Sequence, residues 1–505
     1  MIDRGLPRTA ILAAGIGMGF AGDQLLRAPG GPGLNFFLLF VALAASAWIV
    51  WRSSEAAVIS REAWLWIGVG VLCGAALMWR GSDLLRVGTF LAACTAFALP
   101  ALDAGRAWTR RSGVLDVLEA VAGASLHAAL AGVRLMSNGN RNPVKDPTGG
   151  PARTVARTAL RGLLLALVPL LVFGALFVSA DQVFATLLGD FVRVDLQTLA
   201  SHLVVTILLA WLACGYLVGV SSGTRLNLMQ RPRPARPTLS VAEVGTAMAL
   251  VDLLFLGFVI VQFRYLFGGG AWVDVTPGLT YAAYARAGFF QLVAAVGLAI
   301  PWLLITHAML EDGTLRARSV FGGFAGAHIM LLLAIVASAV QRMLAYQDAY
   351  GLTELRVVVS ASLVWLTVVV VWFGATVLSG RRERFVFGAL VAAFGLVASL
   401  QFINPAGLVA RHNLDRAGDL GGVDAEYLRS LGSDAAPLLA TRLGELPQES
   451  QCPVARRLLR LWGPERPPEW RSFNLSESRA RDAVDQHLNA LQRVAGSGDS
   501  CREVP

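Results

Sequence analysis

The chain has 505 residues, 55% of them hydrophobic and only 15% charged, with a mean hydropathy of +0.58 and a formal net charge of +9. A soluble domain carries roughly a quarter charged residues, so the composition specifies an integral membrane protein. All cations but Lys145 are arginines, and Lys145 lacks the Gly-Lys-Ser/Thr context, which excludes a P-loop and argues against lysine Schiff-base chemistry. The basic excess is spread over membrane loops, so nucleic acid is not an expected partner.

Crossing a bilayer takes roughly 20 apolar residues, and eleven stretches meet that need: 9–26, 34–51, 63–79, 84–102, 160–180, 201–220, 244–265, 287–307, 319–340, 357–378 and 385–403. The first follows Arg4 and Arg8 but has no small-residue cleavage site after it, so it reads as a retained span. Gly17-Met18-Gly19-Phe20-Ala21-Gly22 matches a dinucleotide fingerprint by letter, yet no strand precedes it. Gly15 and Gly19, Gly70 and Gly74, Gly215 and Gly219, and Gly322 and Gly326 read as surfaces for close helix contact. Segment 113–136 sets Leu115, Leu118, Val121, Leu126, Leu130 and Val133 against Asp116, Glu119, His127 and Arg134, as an amphipathic helix on the inner surface would, followed by a cytoplasmic loop at 137–159.

With the N-terminus inside, the inner loops hold 22 cations and the outer loops 8, as the positive-inside rule requires. An odd number of spans then puts the C-terminus outside. The expected fold is all-α: a polytopic bundle over 1–403 and an extracytoplasmic helical domain over 404–505. The tail holds 13 Arg against 14 Asp plus Glu, hence is near neutral. Asp424 to Leu431 and Asp434 to Leu443 read as a helical hairpin broken at Gly432. A third helix has Pro453 in its first turn and carries Leu458, Leu459 and Trp462, and after a connector at 463–468 a last helix surrounds Val484, Leu488 and Leu491.

Cys73, Cys94 and Cys214 fall inside spans, where single cysteines act as small hydrophobes. Cys452 and Cys501 are the tail's two. In an oxidising compartment they would pair and stabilise the tail by on the order of 4 kcal/mol, closing a loop of about 50 residues. The alternative is that Cys501 lies too near a frayed terminus.

Asp252 lies deep in the seventh span, and His328 sits at a similar depth in the ninth. An Asp/His pair inside the bundle is what a proton relay requires, and the alternative is a protonated Asp252 acting as interhelical glue. Near the outer ends lie Asp181, Gln262, Arg264, Tyr265, Arg286, Gln291, Gln341 and Arg342. They could line a polar vestibule for an anion, or anchor helices at headgroup depth. Pro169 and Pro301 interrupt two spans and free carbonyls that either bind ions or are satisfied by neighbours. The six His have no metal-ligand spacing and no cofactor motif is present, so neither metal nor cofactor is expected. Asn474-Leu475-Ser476 is a sequon by pattern only.

At Ser179-Ala180-Asp181 with Phe184, at Gln262 with Tyr265-Leu266-Phe267-Gly268-Gly269, and at Thr280-Tyr281 through Tyr284, Arg286 and Gly288-Phe289-Phe290, the chain resembles bacterial polytopic membrane proteins grouped as domain-of-unknown-function family 4173, with its relative family 4153. The tail is similar at Asn404-Pro405, Arg411 to Arg416, Asp434-Ala435-Ala436-Pro437 and Trp470-Arg471-Ser472-Phe473-Asn474. The resemblance implies a multi-span bacterial membrane protein and no activity. Gln291 stands where the resemblance predicts Glu, with Ala283 and Ala287 also replacing polar residues. The functional expectation is a non-enzymatic inner-membrane scaffold or sensor, in contact with lipid and docking a protein partner through 404–505. The alternative is a proton-coupled transporter of a small solute, with an enzyme acting on lipid third.

Overall fold

The structure, a computed structural model, describes residues 8–53, 61–102, 121, 196–222, 239–267, 289–310, 315–420, 425–465 and 469–496, and every regular element among them is helical. Helices α1 (Arg8–Leu26), α2 (Leu34–Arg52), α3 (Arg61–Leu77), α4 (Asp83–Leu102) and α5 (Leu196–Ser222) surround a core that includes Ile11, Phe40, Val50, Phe97 and Leu217. A second group, α6 (Val241–Phe267), α7 (Phe289–Met309), α8 (Leu315–Tyr350) and α9 (Glu354–Phe373), encloses Met248, Val296, Leu303, Leu332 and Phe373. Helix α10 (Phe385–Ile403) joins the groups, its Phe387 and Phe394 packing on Trp66 of α3.

Among the described residues nine helices are long and apolar enough to cross a membrane, against eleven expected spans. The difference has two parts. Helix α3, with 17 residues, is at the short end of the range that crosses a bilayer and is not among the nine, and stretch 160–180 lies outside the described residues, as do the surface helix and loop expected over 113–159 apart from Val121. Helix α6 exposes Leu250, Leu253, Leu254 and Ile260 along one side. So large an apolar face is costly in water and costless against lipid.

Small residues decide how closely α1 and α5 approach. The supposed fingerprint glycines are helical here, and a Cβ on Gly19 would collide with the Thr206 carbonyl oxygen, while one on Gly15 would meet the Cys214 sulfur. Gly17, between them, faces open space. Gly19→Ala is therefore expected to cost about 1–3 kcal/mol by overpacking and Gly17→Ala almost nothing, a contrast that detergent melting curves of the two variants would read; equal melting would show that α1 and α5 can separate freely. Gly70 and Gly74 meet Phe97 and Phe40 in the same way, and Gly219 meets Ala101. The expectation for Gly322 and Gly326 is corrected: a Cβ on either meets nothing within 4 Å. Tight packing of α8 rests instead on Phe321, Ala325, Leu332 and Ile335.

At the C-terminal end of α10, Asn404 takes a left-handed conformation (φ 54°), which Asn tolerates better than most residues, and Pro405 at once starts a new helix. The tail comprises α11 (Pro405–Leu420), α12 (Ala425–Ser430), α13 (Ala436–Thr441), α14 (Gln448–Trp462), α15 (Leu475–Gln486) and α16 (Leu488–Gly496). The hairpin expected over 424–443 is thus two short helices preceded by a longer one, Pro453 lies inside α14, and the last helix is split at His487. Val409, Leu428, Leu439, Leu458, Val484 and Leu491 form the tail's core, against which Leu352 and Val357 of the bundle also pack.

Candidate functional site

Where α6 begins is set by a reciprocal cap: the Ser240 hydroxyl accepts from the Glu243 N–H, and the Glu243 carboxylate accepts from the Ser240 N–H (2.7 Å) and hydroxyl. The Leu239 N–H donates to the Met309 carbonyl (2.8 Å), tying this end of α6 to the end of α7. Three turns further along α6, Asp252 meets His328 of α8, Nδ1 to Oδ1 at 2.6 Å. The His328 side chain is 1% exposed and that of Asp252 13%. Phe255 flanks the imidazole, ring centroids 4.7 Å apart. Nε2 of His328 and Oδ2 of Asp252 are both buried and have no hydrogen-bond partner.

Ten residues on, about 15 Å along the axis, the same two helices meet again through polar groups. Gln262 Oε1 accepts from the Arg342 guanidinium (2.6 Å) and the Ser338 hydroxyl (3.2 Å). Both Asp252 with His328 and Gln262 with Ser338 are separated by 76 residues, so α6 and α8 run parallel and in step. Between the two contacts the seam is apolar, with Phe255, Val259, Leu332 and Ile335.

The structure thus unites Asp252 with His328, and Gln262 with Arg342. Gln262 is buried, so this part of the expected vestibule is a closed contact between helices. Gln291 is exposed on α7. Asp181, Arg286, Pro169, Cys501 and the side chain of Arg264 lie outside the described residues, and Pro301 sits within α7. Cys452 is buried in the tail, while Cys73, Cys94 and Cys214 are free thiols.

A second Asp/His contact escaped the sequence reading. Asp23 of α1, 2% exposed, is held by the His202 imidazole of α5 and by Arg27 (2.7 Å), whose guanidinium also donates to Ser201 (2.7 Å). The spacing of Asp23 and Arg27, one helical turn, was the available signal.

A third polar group, also unforeseen, joins tail and bundle. Asp434, 1% exposed, accepts from the N–H groups of Gly81 (2.7 Å) and Ser82 (3.0 Å) just ahead of α4 and lies 3.6 Å from the Arg80 guanidinium. A carboxylate is favoured there by the unpaired amides and dipole of the helix start. Asn474 caps α15 by accepting from Ser476 and Glu477, and its amide donates to the carbonyls of Leu77 (2.9 Å) and Arg80 (3.0 Å). The sequon asparagine is therefore consumed as a buried pin. The Leu34 N–H donates to Phe473 O and the Leu475 N–H to Met78 O. Asn413 brackets Leu352, and Tyr427 Oη accepts from the Glu354 N–H (2.7 Å). One tail thereby holds the α1–α2, α3–α4 and α8–α9 turns, so all three lie at one end of the bundle. A Cβ at Gly33 or Gly81 would collide with Phe473 O or Ser433 Oγ, which is why those turns carry glycine.

A bundle of lipid-exposed apolar helices with buried polar contacts defines an integral membrane protein. Comparison then supplies a family: a model described as "Domain of unknown function (DUF4153)" matches residues 67–441, well over half of the chain. The chain belongs to that family, the one the motif resemblance named as a relative; the link to family 4173 stays a resemblance. No curated protein and no solved structure matched. The matched region contains Asp252, Gln262, His328, Arg342 and Asp434, and it ends before α14.

Proposed function

We propose that the protein is a proton-coupled carrier of a small solute, with Asp252 and His328 as the protonatable pair. The observation that carries this reading is the 2.6 Å Asp252–His328 contact with His328 Nε2 and Asp252 Oδ2 left buried and unpartnered. A pair serving only as glue would be expected to satisfy its remaining polar atoms, since each unpaired buried group costs about 1–3 kcal/mol. With Nδ1–H directed at the carboxylate, Nε2 keeps a lone pair that can take a proton; if the carboxyl holds the shared proton, Nε2 is the donor. Either form differs from the other by charge inside the bundle, which is the requirement for coupling. The cation bias supports an N-terminus inside and a tail outside, in a bacterial inner membrane.

The test uses vesicles containing the full chain. A carboxyl C=O band that changes with pH in infrared difference spectra is expected from wild type and absent from Asp252→Asn, together with loss of proton entry under an imposed pH gradient. A spectrum unchanged by Asp252→Asn would sink the proposal.

Scaffold or sensor action is the second reading, favoured by a tail with its own core that grips the turn between α8 and α9. Helix α8 carries His328, so a protonation-linked shift of that helix would reach the tail surface and a protein docked on it. A Cys452–Cys501 disulfide belongs to this reading, and Cys452 is buried in the tail.

A further inference from the structure

The tail is near neutral overall, but its arginines are unevenly distributed. Arg456, Arg457 and Arg460 occupy neighbouring positions on one side of α14, and α12, packed on α14, contributes Arg429. Two other tail arginines have acids: Arg442 pairs with Asp415 and Glu445, and Arg471 with Glu469. These four have no carboxylate partner among the described residues, although Glu426 and Glu449 are close in sequence. Arg456 Nε donates to the Ala495 carbonyl (3.3 Å), and Arg457 Nε is buried with no acceptor. Burial first, then the charges of Arg460 and Arg429, hold the Arg457 guanidinium below its usual value.

For the folded chain alone, this arrangement is unfavourable. Like charges one helical turn apart repel, and a buried N–H without an acceptor loses its hydration for nothing. Conversion of Arg457 to a neutral polar residue would relieve both penalties, so stability gives no reason for four arginines here. Function does, because guanidinium forks match the oxygens of phosphate and bind it through several charge-assisted hydrogen bonds. Arg429 also lies two residues from Tyr427, whose hydroxyl accepts from the N–H of the first residue of α9, so the group begins near one end of a candidate span.

We propose that Arg429, Arg456, Arg457 and Arg460 form a binding site for a phosphate-bearing anion, supplied either by a lipid headgroup or by a soluble phosphate. The site is independent of the Asp252–His328 pair and falls beyond the matched family region except for Arg429.

Melting of the full-length protein would be followed in nanodiscs of phosphatidylcholine, in nanodiscs containing phosphatidylglycerol, and in phosphatidylcholine nanodiscs titrated with inorganic phosphate at constant ionic strength. A saturable rise in melting temperature with phosphate identifies a soluble ligand, and a rise with phosphatidylglycerol alone identifies a headgroup. Arg460→Gln, at an exposed position that does not threaten folding, should weaken the effect about tenfold or more. Arg457→Gln should do the same while leaving basal melting unchanged or higher, which no structural role predicts. Absence of a rise in both arms, a rise that survives both substitutions, or a fall in basal melting with Arg457→Gln would overturn the site.

Discussion

Asp434→Ala is expected to release the tail from the bundle. The carboxylate satisfies two backbone N–H groups at the start of α4 and neighbours Arg80, all in a contact from which solvent is excluded. Truncation strands those donors and weakens the neutralisation of a guanidinium 11% exposed, a loss on the order of 3 kcal/mol or more. Asp434→Asn separates the contributions. One oxygen receives both N–H bonds, so the amide can keep them and lose only the ion pair, and Arg80 retains its bond to the Gln401 carbonyl (2.7 Å) and its place over the Trp79 ring. Its cost should be less than half that of Ala. Trypsin reads the difference directly, because the tail is rich in arginine: cleavage after residue 404 should accelerate strongly for Ala and modestly for Asn. Unchanged cleavage of the Ala variant would mean that apolar packing of Leu352 and Val357 suffices for docking.

The second large effect concerns the buried pair. His328→Leu leaves a carboxylate without its partner inside the bundle, for about 3–5 kcal/mol. Asp252→Leu leaves the imidazole N–H unpaired, which costs about 1–3 kcal/mol. Replacing both residues by Leu removes the polar atoms together and should restore stability to near wild type, since an apolar pair of similar volume is commonly as stable as a buried ionic one. Proton entry should be lost in all three. Stability and activity therefore part company in the double variant if the pair works as a proton site, whereas a restored, fully active double variant would leave it as interhelical glue. Thermal unfolding in detergent and pH-gradient dissipation in vesicles give the two readouts from one preparation.

Much of the architecture is legible without coordinates because crossing a bilayer is a local demand. Twenty residues either are apolar enough or are not, and that decision uses no information from elsewhere in the chain. The small-residue face of α1 is local in the same sense. Asp252 stood out because an acid in mid-span is costly wherever its partner lies. Asp23 did not, because it occupies the last turns of a span, where acids are unremarkable, and only the approach of His202 from α5 buries it. Asn474 read as a sequon, yet its role depends on the carbonyls of Leu77 and Arg80, some four hundred residues earlier. Gly322 and Gly326 erred in the other direction: spacing alone cannot say which face of α8 meets a neighbour.

The sequence by itself determined a membrane protein, most of its helices and the singular position of Asp252. Tertiary structure decided that α6 and α8 lie parallel and in register, that the tail is pinned to three turns of the bundle, and that four arginines gather without acids. The reason is physical: hydropathy and capping act within a few turns, while the rotation of each helix about its axis and the choice of partner follow from packing and buried polar contacts summed over the whole chain.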